Sequence, residues 1–281
     1  MLNEFISAHE SVIRIGAFAA IFAVMAIWEL VAPRRPQATG RWQRWPANLG
    51  IAALNALLVR LAFPIAAVAV AMLVETRGWG LLHAIAMPQW LAVIAALLVL
   101  DLAIYLQHVL FHAVPVLWRL HRMHHADLEF DVTTGARFHP IEIMLSMFIK
   151  MGVVAAIGAP AIAVVSFEVL LNATSMFNHG NVGLPVSLDR VVRLLLVTPD
   201  MHRVHHSIVP RETNSNFGFN VPWWDRLFGT YRAQPAAGHE AMIIGIEQFR
   251  EPGELRLDRM LLQPFRARDR RDASDGDRPS Q

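Results

Sequence analysis

The chain alternates between long apolar runs and shorter stretches in which charged, histidine and aromatic residues mix. Ile15 to Ile27 is apolar and flanked by Arg14 and Glu29. Trp45 to Val59 and Leu61 to Val74 are separated only by Arg60, while Gly78 to Leu100 and Met151 to Phe167 carry no Asp, Glu, Lys or Arg. A membrane-spanning helix needs about 20 predominantly apolar residues. Reading outward from each run predicts helices over 11–32, 48–74 and 85–111, then an apolar stretch over 142–178. As one straight helix that last stretch would reach about 55 Å, against a hydrocarbon core of about 30 Å. Gly158-Ala159-Pro160 lies near its middle and is a natural break. The stretch therefore reads as a hairpin of two short helices, with a kinked single helix as the rival geometry.

The expected architecture is an all-α integral membrane protein with four to five transmembrane helices and a cytosolic, histidine-rich helical cap. The cap draws on 101–141 and 179–265, where polar, aromatic and apolar residues mix. Three parts follow: N-terminal transmembrane helices over 1–100, a unit over 101–232 that includes the hairpin, and a cytosolic C-terminal segment over 233–281. Beyond about residue 265 apolar periodicity is lost, the pattern of a disordered tail.

Composition narrows the classes. Of 281 residues 54% are hydrophobic and 17% charged, against about 25% charged in an average soluble domain. A disordered chain, a nucleic-acid-binding arm and an ordinary cytosolic enzyme all fit poorly. The absence of cysteine excludes disulfides, thiolate metal sites and cysteine nucleophiles. Among 25 basic residues Lys150 is the only lysine, and the arginines fall in particular loops. Arg34, Arg35, Arg41 and Arg44 crowd the first connector, whereas the connector after Val74 holds only Arg77. The positive-inside rule then places the N-terminus and 75–84 outside, and 33–50 and the chain after 107 inside. The first helix has neither a basic leader region nor a small-residue cleavage site and reads as an anchor. Arg60, placed mid-span by this reading, must face protein or water, and an ion pair is the preferred account.

Nine of the thirteen histidines fall into four clusters: His108 and His112; His121, His124 and His125; His179; and His202, His205 and His206. Residues at i, i+3 and i+4 share one helix face. Each H-x-x-H-H can thus give two imidazoles to one ion and a third to a neighbouring ion. Nine nitrogens are too many for one tetrahedral zinc and suit two metals of higher coordination number. The competing account is a set of membrane-facing basic side chains or a pH sensor, which does not require helical register. His139, before Pro140, is either a tenth ligand or a helix-start residue. His9, His83 and His239 lack partners at ligand spacing and read as surface or interface residues. Metal-bound histidine normally donates its other N–H to a carboxylate or carbonyl, so Asp101, Asp200, Asp127 and Glu142 are candidate orienters.

In these motifs and their order the chain resembles the membrane-bound fatty acid hydroxylase and sterol desaturase family, in particular bacterial members. The flanking Trp118-Arg119-Leu120-His121, Arg137-Phe138-His139-Pro140, Thr198-Pro199-Asp200-Met201, Asn216-Phe217-Gly218-Phe219-Asn220 and Trp223-Trp224-Asp225 carry the same resemblance. It covers roughly 90–232. It implies two non-haem irons at the cytosolic face held by His108, His112, His121, His124, His125, His179, His202, His205 and His206. It further implies that O2 and external electrons drive hydroxylation or desaturation of a sterol-like, hopanoid, carotenoid or fatty acyl lipid in a bacterial inner membrane. Where the family often has a fuller third cluster this chain has only His179, with Asn178 or Asn181 available to act through water. No G-x-G-x-x-G opens a helix, so a separate reductase with a ferredoxin-like or b-type cytochrome carrier is the expected donor. The alternatives are a zinc-dependent membrane hydrolase using Glu142 or Asp200 as base, and a non-enzymatic metal transporter or sensor.

Overall fold

The computed structural model describes residues 2–63 and 67–266, with side chains from residue 9 onward. Among the described residues the chain is all-α, with only isolated bridges pairing Pro33 with Val182 and Ser207 with Ile244. The long helices are α1 (Leu2–Val31), α2 (Arg41–Ala62), α3 (Ala67–Arg77), α4 (Gln89–Ala113), α5 (Pro115–His125), α6 (Pro140–Ile157) and α7 (Ala161–Asn178). Two short helices, α8 (Val186–Val192) and α9 (Pro199–His205), follow and lead into a mostly irregular remainder. Five helical stretches are long and apolar enough to cross a membrane: 9–31, 41–83, 89–113, 140–157 and 161–178. They fit a multi-pass membrane protein, as the apolar runs predict.

The bundle core lies where α3, α4, α6 and α7 meet, around Ala71, Ala96, Leu100, Val154, Val164 and Phe167. Many of these residues are small, which lets the helices approach closely where apolar solvent offers no hydrophobic drive. α1 runs along α7, leaving Val12, Ile15, Val24 and Ile27 exposed on its other side. The hairpin is present. Gly158 ends α6 in the left-handed region at φ 69°, and Pro160 precedes α7. A Cβ on Gly158 would fall 2.4 Å from the Trp79 carbonyl, and one on Gly80 (φ 100°) would fall 2.2 Å from the Gly158 nitrogen. Only glycine permits this crossing of the α3–α4 connector over the hairpin turn.

Two expectations need correction. The helix expected over 48–74 is divided: α2 ends at Ala62 and α3 starts at Ala67. Phe63 precedes Pro64, and a residue before proline is biased out of helical conformation; residues 64–66 lie outside the described residues. α2 also begins earlier, at Arg41, because Arg44 is buried against Asp127 and Asp131 rather than lying in a polar loop. Arg60 therefore stands in the last turn of α2, exposed, and makes no ion pair among the described residues. The charges that do pair within the bundle are others. Lys150 of α6 reaches Glu168 of α7 at 2.6 Å, and Arg14 of α1 approaches the same carboxylate at 3.3 Å. The expected tail after 265 falls mainly on 267–281, outside the described residues.

Candidate metal centre

Each histidine is placed by a helix end. His108 and His112 occupy the last two turns of α4, and Val114-Pro115 turns the chain directly into α5, which ends in His121, His124 and His125. His179 caps α7. Thr198 caps α9 through its side chain, and that helix carries His202 and His205 with His206 at its C-terminus. Pro115 and Pro199 each sit in the first turn, where a missing N–H costs nothing.

All nine converge into two groups. His108, His112, His121, His125 and His205 form one, and His124, His179, His202 and His206 the other; within each, one nitrogen per residue lies within 4.8 Å of the rest. The helical register explains the division. Every i, i+4 pair (108/112, 121/125 and 202/206) stays within one group, while the i+3 residues His124 and His205 cross to the other. Each H-x-x-H-H thus contributes two imidazoles to one group and one to its neighbour, as the spacing predicts. The groups adjoin, with the His125 and His206 rings stacked at 4.5 Å.

The donor set fits metal ions on two observations. First, Nδ1 is engaged in six of the nine. The His108, His124, His179 and His205 Nδ1 atoms lie 2.7–3.1 Å from the carbonyls of Phe217, Arg137, Ser175 and Ser215. His121 donates to Glu142 at 2.7 Å, and His112 lies 3.3 Å from Asn214 Oδ1. These contacts set the tautomer and leave Nε2 bare on the cluster side. Second, bare nitrogens face each other: Nε2 of His108 and His121 are 3.1 Å apart, and Nε2 of His179 lies 3.2 Å from those of both His124 and His202. The ring nitrogens of His125 and His206, and Nε2 of His112 and His205, are buried without partners. Nitrogens bound about 2.1 Å from one ion are spaced in this way, whereas unliganded buried imidazoles would be left unsatisfied.

Electrostatics keeps the set competent. Burial, reinforced by neighbouring histidines, pushes His124, His125, His202 and His206 far below the usual imidazole range, and burial does the same to His205. His179 falls to about 3, chiefly through burial. All are neutral at pH 7, the form that binds metal. Behind them lies a buried charge network. Burial alone would raise Asp127, but Arg44 and Arg137 hold it well below the carboxylate range. Arg44 grips it through two bonds of 2.6 and 2.7 Å. Arg137 in turn bonds Asn48 at 3.0 Å and the Met123 carbonyl at 2.9 Å, fixing the α5 end to the 126–139 loop.

Of the acidic candidates only Glu142 touches a clustered histidine. Asp101 accepts from Trp224 Nε1 at 2.8 Å. Asp200 pairs with Arg34 at 3.3 Å, with Arg203, and with His239 at 3.6 Å. Asn178 donates to the Phe219 carbonyl at 2.9 Å. Asp101 and Asn178 therefore tie the 217–224 segment down rather than orienting an imidazole, and Asn181 binds the 34–35 backbone. His139 stands outside both groups; its Nδ1 accepts from the Ile141 amide at 3.2 Å and starts α6. His239 is buried rather than at the surface. The backbone carbonyl partners escaped sequence reading because carbonyls carry no residue signature. Phe217 and Arg137 fall within the flanking segments that the sequence singles out, whereas Ser175 and Ser215 lie outside them.

Residues 93–230 match the model of the fatty acid hydroxylase family, and this segment contains all nine clustered histidines. The ornithine lipid hydroxylase OlsE of Rhizobium tropici is 31% identical over 149 residues, 53% of this chain and 44% of its own length. Human alkylglycerol monooxygenase (Homo sapiens) is 27% identical over 156 residues, covering 54% of this chain and 32% of that one. The cholesterol 25-hydroxylase of Rattus norvegicus is 28% identical over 163 residues, covering 56% and 53%. The chain thus spans less than half the length of the first two relatives. No solved structure matches.

Proposed function

With residues 93–230 belonging to the fatty acid hydroxylase family, we propose that the chain is a membrane oxidoreductase that hydroxylates a lipid with two non-haem irons, O2 and external electrons. The observation that carries this reading is the pair of adjoining histidine groups, five and four strong. A tetrahedral structural zinc takes four ligands, and the five-membered group exceeds that number, which favours a metal of higher coordination. The nine histidines would hold the irons, His108, His112, His121, His125 and His205 one, His124, His179, His202 and His206 the other. When bound, the irons supply O2 activation and the oxidising power that an unactivated C–H bond requires.

The chain's own residues do the rest. Phe130, Phe138, Phe217 and Phe219 pack against the imidazoles and exclude water. Glu142 holds the His121 ring and the carbonyls at 137, 175, 215 and 217 hold four more, so little reorganisation is needed at the moment of reaction. His112 alone of the nine is only partly buried, which makes its side the access route for electrons. A separate reductase with a ferredoxin-like or b-type cytochrome carrier is the proposed donor, and the arginine placement supports a cytoplasmic site in a bacterial inner membrane. On this reading the catalytic unit covers 101–232, with 1–100 as its membrane support and 233–281 as a cytosolic extension. The named substrates of the relatives are an ornithine lipid, alkylglycerols and cholesterol. A lipid bearing a polar head is the class they share.

The test is a lipid extract incubated with purified protein, reductant and isotopically labelled dioxygen, with metal content measured in parallel. One labelled oxygen in a lipid product, with about two irons per chain, is the expected result. A double bond formed without label assigns desaturation instead. Oxygen-independent lipid cleavage by zinc-loaded protein overturns the reading in favour of a hydrolase.

A further inference from the structure

The cap carries a face that the metal centre does not use. Val186, Val191 and Leu195 on and after α8 are 62–74% exposed, and Trp223, Leu227 and Phe228 are 42–68% exposed. The two segments are joined: Trp223 Nε1 donates to the Leu194 carbonyl at 2.8 Å, and Arg226 Nη2 to the Arg193 carbonyl at 2.9 Å. Six large apolar side chains left exposed on two bonded segments mark an interaction surface.

Its position identifies the occupant. α4 starts at Gln89, which lines a cavity with Gly158 and Pro160 of the hairpin turn, so this end of α4 shares a level with the turn. At 1.5 Å per residue, Asp101 stands about 18 Å and Tyr105 about 24 Å along the helix. Trp224 bonds Asp101, Thr230 bonds Tyr105 at 2.9 Å, and the Phe228 ring stacks on Tyr105 at 5.5 Å. The 224–230 segment therefore runs beside α4 at depths short of the roughly 30 Å hydrocarbon thickness. His108 and His112 lie beyond it, at about 29 and 35 Å along α4. Leu106 and Leu110 of α4 are exposed too, so the face continues the lipid-facing surface of a spanning helix. Exposed Arg190 and Arg226 belong to the same segments, as phosphate headgroups require of a surface embedded at this boundary.

We propose that residues 186–196 and 223–228 form an interfacial element whose apolar side chains insert into the bilayer between the mid-plane and the metal centre. The element is bonded to the site it serves. Asp225 accepts the Phe217 and Gly218 amides at 2.8 and 2.9 Å, and the Phe217 carbonyl holds His108. The proposal rests on the reading of the chain as a multi-pass membrane protein, and the experiment separates the two.

The absence of native cysteine makes any introduced one unique. Leu195→Cys and Leu227→Cys are spin-labelled in the full chain, which is reconstituted into phosphatidylcholine–phosphatidylglycerol vesicles. Collision with oxygen and with a water-soluble nickel chelate is measured for each. Phe148→Cys, on an exposed position of α6, and Glu247→Cys, on the cap, are the lipid and water references. The labels at 195 and 227 are expected to follow 148, with an oxygen-to-nickel ratio at least about threefold above that at 247. Labels at 195 and 227 that follow 247, while 148 stays in lipid, overturn the interfacial element alone. A label at 148 that is reached by nickel overturns the spanning reading and the element with it. Exclusion of both agents at 195 and 227 means a protein surface covers the face, and also overturns the proposal.

Discussion

The two histidine groups use the same residue type and the same two motifs, yet they are built differently. The four-membered group draws on α5, α7 and α9, and all its members are buried. Two of its tethers, the carbonyls of Arg137 and Ser175, come from the buried 126–139 loop and from helix α7 itself. The five-membered group draws on α4, α5 and α9, and one member, His112, is partly open. Its tethers come from Glu142 and from the irregular 214–217 segment. One group is embedded in helix and a charge network; the other is held by Glu142 and by a buried segment without regular structure. The comparison teaches that paired sites made from a repeated motif need not be equivalent, because each motif fixes only its own register.

The largest effect that tests this asymmetry is loss of a crossing ligand. His124→Ala leaves three histidines in its group, whereas His205→Ala leaves four in the other. Measured by elemental analysis of purified protein, H124A is expected to fall from about two bound metals per chain to about one, while H205A retains a larger fraction. Activity is expected to fall in both by more than the roughly 10–100-fold typical of a lost supporting partner. Equal metal loss in the two variants would remove the distinction.

Acidification acts on both groups and sharpens the contrast more gently. Imidazoles buried neutral have folded-state values below the free value of about 6.5, so the unfolded, metal-free chain binds more protons as pH falls below that point. The stabilisation is complete above about 6.5 and is withdrawn below it, over a window reaching down to about 3 for His179. Metal retention titrated from pH 8 to 5 is expected to be flat to about 6.5 and then to decline. The five-membered group, with its open edge at His112, should release first. A decline that begins above pH 7.5 would point to a different group.

How much of this was legible in the sequence follows from the range of each interaction. The i, i+3, i+4 register is local, so the division of His121, His124 and His125 between two groups could be read directly. The hairpin was legible because Gly158 and Pro160 act on their own backbone. The break after Ala62 was signalled by Phe63-Pro64 but masked by the unbroken apolar run around it. What could not be read was long-range partnering. Arg44 with Asp127 is 83 residues apart in the chain and Lys150 with Glu168 crosses two helices, and no spacing rule links either pair. Arg60 is the conspicuous charge inside an apolar run, yet the charges that pair inside the bundle, Arg14, Lys150 and Glu168, lie at the margins of other runs. Asp101 and Asp200 were sensible orienters by spacing, but orientation depends on direction, and their side chains reach Trp224 and the Arg34, Arg203 and His239 side chains instead.

The next smaller effect concerns the supporting shell of one group only. Glu142→Gln keeps the size of the side chain and a carbonyl to accept from His121, but removes the charge that makes His121 a better donor. Metal affinity of the five-membered group is expected to fall about 10-fold, at the low end for such partners, with the other group unchanged. Competition with a chelator resolves the two as separate release phases, and a matching shift in both phases would show that the groups are one cooperative unit.

The smallest effect tests the loop that distinguishes the two groups. Asp225 satisfies three donors: Phe217 N at 2.8 Å and Thr230 Oγ1 at 2.7 Å on Oδ1, and Gly218 N at 2.9 Å on Oδ2. Gly218 is required there, since a Cβ would fall 2.8 Å from Asp225 Oδ2. Asp225→Asn keeps the two bonds on one oxygen and turns an NH2 toward the Gly218 amide, donor against donor. The cost of one such buried mismatch is about 1–3 kcal/mol. The Phe217 carbonyl then holds His108 less firmly, while Arg137 and Ser175 still hold His124 and His179. Thermal unfolding of the metal-free chain is expected to shift by that amount, and after metal loading only the faster chelator phase should accelerate. Acceleration of the slower phase as well would mean that the 214–217 segment supports both groups, and that their difference in tethering has no energetic weight.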